Sequence, residues 1–180
     1  WSAEQDAQPT QLPGPADRRS RMLSGPGLAL FVASITFMSI DWVMSLDPHW
    51  FSTMFGVYCF AGLFYSTLAM TAVITVTLKR NGMLAGIVTE EHLHDLGKFM
   101  FAFSIFWTYL WYSQFMLIWY ANIPEETVYF KPRMQGPYAW VFFLNLIVNF
   151  VLPFLLLMRK GSKRNFTTMA YLDVVIIVGH

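Results

Sequence analysis

The stretch Ser24–Trp50, SGPGLALFVASITFMSIDWVMSLDPHW, decides the fold. From Gly27 to Leu46 it runs for 20 residues with one charged side chain, Asp41, and then breaks at Asp47-Pro48. At a rise of about 1.5 Å per residue such a run covers about 30 Å, the hydrocarbon thickness of a bilayer. It therefore predicts a transmembrane helix.

Working outward, the same pattern repeats along the chain. Apolar runs at about 27–46, 51–78, 96–120 and 138–158 predict four full spans, together making a transmembrane bundle over 25–158. Breakers separate them: Asp47-Pro48, Asn81-Gly82, Ile123-Pro124 and Gly136-Pro137. Ahead of the bundle, residues 1–24 form a polar, Pro-rich segment without the apolar core of a signal peptide. Behind it, 159–166 is a basic loop, and 167–180 starts a fifth span too short to cross. Both ends are expected to be cut, with further helices beyond them. The fold class expected is all-α, a polytopic transmembrane helix bundle.

Composition agrees. Apolar residues make up 56% of the chain and charged residues 13%, about half the share usual in a soluble domain. Twelve basic residues stand against 11 acidic ones, which excludes the basic surface of a nucleic-acid-binding protein. A single cysteine, Cys59, excludes an internal disulfide, a cysteine-held cluster and a C-x-x-C-H haem site.

The basic residues set the orientation, because Lys and Arg near span ends stay on the cytoplasmic side. Arg18, Arg19, Arg21, Lys79, Arg80, Lys98, Arg159, Lys160, Lys163 and Arg164 fall on one side, and only Lys131 and Arg133 on the other. This predicts a cytoplasmic N-terminal segment and an outward 47–50 turn, periplasmic in a Gram-negative cell. Trp42, Trp50, Trp119, Tyr120, Tyr138 and Trp140 gather toward the outer side, where they are expected to anchor the bundle at the interface.

Chemistry must come from polar groups that hydrocarbon makes costly. Counting from Leu46, Asp41 lies roughly 7 to 8 Å below the outer helix end. It is either a structural acid held by Ser or backbone donors, or a group that takes up and releases protons. Asp47 and His49 sit beside it in sequence. Asp47 is suited to closing the turn or capping the second helix, and His49 to anchoring at the interface. Together the three could form a proton exit or a quinol head-group pocket, since quinol oxidation needs a base for each of its protons.

On the cytoplasmic side, EEHLHD (90–95) is either a solvated, helix-capping cluster or a proton entry at His92, His94 and Asp95. The two histidines are two residues apart, which places them on different helical faces and argues against a metal pair. No metal site is expected. Between the two sides, Thr108, Tyr112, Gln114, Asn145 and Asn149 are candidates for an intramembrane polar path, with Ser104 and the stripe Thr67, Thr71, Thr75 as further polar positions. Their alternative role is hydrogen-bonding between helices. Gly62 and Ser66 make a small-residue patch for close helix packing. Pro153 withdraws the hydrogen bond that the Asn149 carbonyl would accept. His49, His92 and His94 all lie near or outside span ends and His180 on the short fifth span, so a b-type haem within these helices is not expected.

The runs SIDWVMSLDPHWFSTMFGVY (39–58) and HDLGKFMFAFSIFWTYLWYSQFMLIWYANIPEET (94–127) resemble the ActF-type membrane subunit of bacterial alternative complex III, an NrfD-like, polysulfide-reductase-type membrane protein. The resemblance implies a larger NrfD-like subunit in the bacterial inner membrane, with this chain as its later half. It implies a role in a quinol:cytochrome c, or other acceptor, oxidoreductase, supporting quinol oxidation and conducting protons. Implied partners are an NrfD-like paralogue, an iron–sulfur subunit, multihaem cytochromes c and small membrane subunits, besides lipid and quinol. Haem c and iron–sulfur clusters are expected only in those partners, with quinone or menaquinone at or near this chain and no covalently bound cofactor in it. In the family, quinol sites combine a buried Asp with a His of another helix. Asp41 matches the first, whereas His49 stands in the adjoining turn. A membrane scaffold without a site, or a fragment of a secondary transporter, are the alternatives. A transporter would show a broken helix and an ionisable pair near the midplane.

Overall fold

The computed structural model describes residues 15–84 and 87–179, with side chains from Arg18 on, and every regular element in it is helical. Helix α1 (Pro15–Met38) runs into a π-helical turn, Ser39–Val43, and a 3-10 turn, Met44–Leu46. Then come α2 (Phe55–Arg80), α3 (Glu90–Ala121), the short α4 (Pro124–Thr127) and α5 (Phe130–Gln135), and α6 (Ala139–Leu146). A second π turn, Ile147–Val151, joins α6 to α7 (Leu152–Met158), followed by α8 (Lys160–Arg164) and α9 (Phe166–Gly179).

Three helical segments are long and apolar enough to cross a membrane: 18–46, 55–80 and 139–158. The expected span at 96–120 has the length, lying within the 32 residues of α3, but not the apolarity. Trp107, Tyr109, Trp111, Tyr112 and Gln114 lower its mean hydropathy. Other boundaries move as well. The polar segment expected at 1–24 is already helical from Pro15, where a proline at the first helical position loses no hydrogen bond; residues 1–14 lie outside the described ones, as does His180. The second helix begins at Phe55 and not at 51, and the third gains a polar first turn from Glu90. The basic loop 159–166 contains α8.

Local chemistry explains the ends. Helix α2 stops in a Schellman arrangement, in which Gly82, at φ 81°, follows the cap residue Asn81 and Met83 N–H donates to the Leu78 carbonyl at 3.1 Å. Helix α3 stops at Asn122, which adopts φ 48°, and Pro124 then opens α4. The π turn at Ile147–Val151 ends two residues before Pro153, whose missing N–H removes one rung of the helical ladder.

Helix α2 is central and packs against α1, α3 and α9. Its face Tyr65, Ala69, Ala72, Val76 meets Leu93 and Met100 of α3, Leu157 of α7 and Met169, Leu172 and Ile176 of α9 in the main core. A smaller cluster joins Ala61 to Trp107 and Leu110, beside Tyr58. Side chains such as Leu28, Leu30, Phe37 and Val178 point outward, as suits helices surrounded by an apolar medium.

Helix α1 meets α2 through one close approach. A Cβ added at Gly56 would lie 2.8 Å from the Thr36 methyl and 3.1 Å from its Cα. Gly56→Leu should therefore lower stability by about 1–3 kcal/mol in thermal unfolding of the detergent-solubilised protein. Gly25→Leu, which adds its side chain to open space, should cause no such loss.

Candidate functional site

The bundle has two chemically distinct ends. At the basic end, the start of α3 meets α8 and the start of α9. Thr89 caps α3 together with His92: its backbone N–H reaches His92 Nδ1 at 3.2 Å, and its hydroxyl lies 2.8 Å from the same nitrogen. His92 thus acts in a capping box, a role the acidic residues around it were expected to fill. Asp95 pairs with Lys98 at 2.9 Å, which holds its carboxyl below the ordinary range. Arg164 pairs with Glu91. Gly97 leaves room for the Lys163 stem, whose ammonium lies 5.2 Å from the Phe101 ring centre; burial lowers the Lys163 pKa.

His94 differs from His92. It faces inward and is buried, and its Nδ1 has no hydrogen-bond partner among the described residues. Desolvation lowers its pKa, and the nearby charges of Lys98, Arg164 and Lys163 lower it further, against Glu91. The three expected proton-entry residues therefore separate into a cap, a buried neutral imidazole and an exposed ion pair.

At the other end, the turn 47–50 closes with Trp50 N–H donating to the Asp47 carbonyl at 3.1 Å. Asp47 closes this turn and does not cap α2, whose cap residue is Met54. Trp50 is buried and stacks on Tyr129 with ring centres 4.0 Å apart. Arg133 lies 3.6 Å over the other partner of that stack, the Tyr129 ring, and donates to the Tyr129 carbonyl at 2.6 Å. Burial pushes the Tyr129 phenol above its ordinary range, Arg133 opposes this, and Cys59 and Asp47 add to it.

Behind this stack lies a cavity of about 320 Å³. Phe55, Tyr58, Trp107, Trp111, Tyr129 and Phe142 give it aromatic walls, and Gln114, Arg133, Tyr138 and Asn145 give it polar edges. Gln114 also reaches across to the Ser52 hydroxyl at 3.2 Å. The volume is at the lower end of small-molecule sites, which run from about 300 to 1,000 Å³ with mostly apolar linings and a few polar groups.

The expected outer cluster does not line this cavity. Asp41 lies in the π turn of the first helix and is exposed on the described chain, with its carbonyl accepting from the Ser45 hydroxyl. Its burial, expected from its depth below the helix end, is not seen: depth along an axis says nothing about which way a side chain turns. His49 is exposed too, and Asp47 half-buried near Tyr129.

The expected polar path divides. Thr108 back-bonds to the Ser104 carbonyl at 2.8 Å and Tyr112 is exposed, whereas Gln114 borders the cavity. Thr67 and Thr71 also bond within their own helix, to Leu63 and Thr67 carbonyls. Asn145 and Asn149 do work together: both amides donate to the Gly179 carbonyl, at 2.8 and 2.9 Å, tying α6 and the π turn to the end of α9.

Reasoning from sequence missed two features. Tyr129, in the connection between α3 and α6, carries the stack and a cavity wall, and nothing local marks it. Asp173, completely buried in α9, was marked by the one acidic residue in the apolar run 168–179.

No protein-family model matches the chain, and no curated protein matches it. Among the described residues there is no group of three or more His, Cys, Asp or Glu placed to hold a metal ion.

Because the fold favours neutral His94, the unfolded chain binds more protons than the folded one as pH falls through the ordinary histidine range. Stability should therefore fall between about pH 7 and about pH 5. His94→Gln, which cannot titrate, should flatten that part of a melting-temperature profile; an unchanged slope would place the charged imidazole comfortably in the fold.

Proposed function

We propose that this chain is the membrane-embedded subunit of a quinol:acceptor oxidoreductase of the alternative complex III type, in a bacterial inner membrane. In this reading the helices 18–46, 55–80 and 139–158 span the bilayer together with the part of α3 at about 96–120, and α9 starts a fifth span. The basic end is cytoplasmic and the 47–50 turn periplasmic. The chain supports quinol oxidation and conducts protons, while the iron–sulfur clusters and haems that carry electrons away belong to partner subunits.

The observation that carries the reading is the aromatic cavity at the 47–50 end. Its walls suit the faces of a quinone ring, and its volume suits a substituted ring with the isoprenoid tail left in lipid. Gln114 and Asn145 supply amide oxygens to accept from the two quinol hydroxyls, and Arg133 supplies a fixed positive charge for the anion that forms as a proton leaves. Oxidation removes two electrons and two protons. The electrons pass to the partner's acceptor, and the protons leave on the side where Asp47, His49 and Asp41 are found.

A site-free scaffold is the second reading, favoured by how many polar groups are used within the fold: the His92 cap, the Asp95–Lys98 pair and the back-bonded threonines. A transporter is less well supported, because the turn at Ile147–Val151 widens its helix without unwinding it.

In the intact complex, Gln114→Leu and Arg133→Leu should raise KM for quinol while leaving haem and iron–sulfur content unchanged. Asp41→Asn, with quinol oxidation and proton release measured separately, sorts the remaining roles. Loss of proton release with electron transfer kept supports conduction, and loss of both supports a quinol site. No change in any of the three variants would leave only the scaffold.

A further inference from the structure

The least expected group in the bundle is Asp173. It lies in the apolar run TMAYLDVVIIVG (168–179), on the same face of α9 as Met169, Leu172 and Ile176, all of which belong to the core against α2. Its exposure is zero, and neither carboxyl oxygen has a hydrogen-bond partner among the described residues. Tyr65, likewise fully buried, is close enough on α2 to feel a charge placed there.

An ionised carboxylate without a donor is not tolerated in such surroundings, so something must neutralise it. Three neutralising partners can be compared. A basic side chain is the first, but the two cations by which α2 reaches α9 are occupied at its opening turn: Arg80 bonds Thr167 at 3.2 Å and Lys79 lies 3.9 Å over the Phe166 ring. Asp173 is six to seven residues further on, about 9–10 Å along the helix. A metal ion is the second, but a hard cation asks for about six or more oxygen ligands. Facing Asp173 from α2 is the single oxygen of Tyr65, and the α3 and α7 residues of this core, Leu93, Met100 and Leu157, carry none on their side chains. The third is a proton, which needs no further ligand.

We propose that Asp173 is a proton-binding site, a neutral carboxylic acid in the bundle core opposite Tyr65 that exchanges its proton with water. The exchange is a simple dissociation: the O–H bond breaks, the proton goes to water and the electron pair stays on the carboxylate until a proton returns. Along α9 the site is flanked by Met169 and Leu172 toward the basic end and by Ile176 toward the other, beyond which the Asn145 and Asn149 amides hold the Gly179 carbonyl about 9 Å further on. This inference goes beyond the quinol reading and does not require it.

Infrared difference spectroscopy on the intact purified assembly, wild type against Asp173→Asn, tests the site directly. The expected result is a carboxylic-acid C=O stretching band in the wild type that shifts on transfer to D₂O, is absent from Asp173→Asn and Asp173→Leu, and moves in frequency in Tyr65→Phe. Carboxylate stretching bands in its place, or an acid band that D₂O never shifts, would overturn the proposal. Asp173→Leu removes a polar group from an apolar core and should keep or raise the melting temperature, which guards against a loss of band through misfolding. Because the readout is a vibration of one side chain, it can fail while quinol oxidation responds to Gln114→Leu, and it can succeed where quinol has no effect.

Discussion

Close approach along one face of α2 is the constraint on which the rest of this structure depends. In an apolar medium helices are not driven together by the exclusion of water, and they associate where small residues let backbones approach and side chains interlock. Ala61, Gly62, Ala69 and Ala72 are all buried on α2 and provide that surface, interrupted by the single large ring of Tyr65. Helices α3 and α9 lie against it, and Gly56 on the same helix admits α1. The cavity exists because further along, toward the 47–50 turn, α2 no longer presents alanines. Tyr58, Trp107 and Trp111 hold the helices apart there and leave room between them.

The two ends of the bundle solve the same problem with different chemistry. At one end, charges are matched or spread over rings: Arg164 with Glu91, Lys98 with Asp95, Lys79 over Phe166. At the other, rings stack on rings, and Arg133 is drawn into the array, over Tyr129. An aromatic end can bind a flat, weakly polar molecule. The basic end is committed differently, with Glu91, Asp95 and Lys98 matched in pairs and His94 Nδ1 left without a partner among the described residues.

Much of this was legible in the sequence. Apolar length predicted spans at about 27–46, 51–78 and 138–158, where the structure has apolar helical segments at 18–46, 55–80 and 139–158, and the breakers Asn81-Gly82 and Ile123-Pro124 stand where α2 and α3 end. The different helical faces of His92 and His94 were legible too, since residues two apart cannot share one. What failed was inference about direction and partners. Asp41 is at the depth expected but turned outward, and Thr67 and Thr71 satisfy their hydroxyls on the preceding turn and not across helices. Asp173 was overlooked because a short final run drew no attention to the one charge inside it.

The two π-helical turns carry a consequence of their own. A turn that takes in one extra residue sets everything beyond it out of phase by about 100° with the helix before it. In the first span, the part ahead of the slip answers to α2 through Thr36 and Gly56, while Asp41, Trp42 and the 3-10 turn beyond are swung onto a different bearing. One continuous rod thus presents two bearings, with Ser39 of the π turn still buried against the bundle while Asp41 and Trp42 turn outward. In the second, the slip at Ile147–Val151 turns Asn149 inward to share the Gly179 carbonyl with Asn145. The same distortion points one helix's polar residue away from the bundle and the other's into its centre.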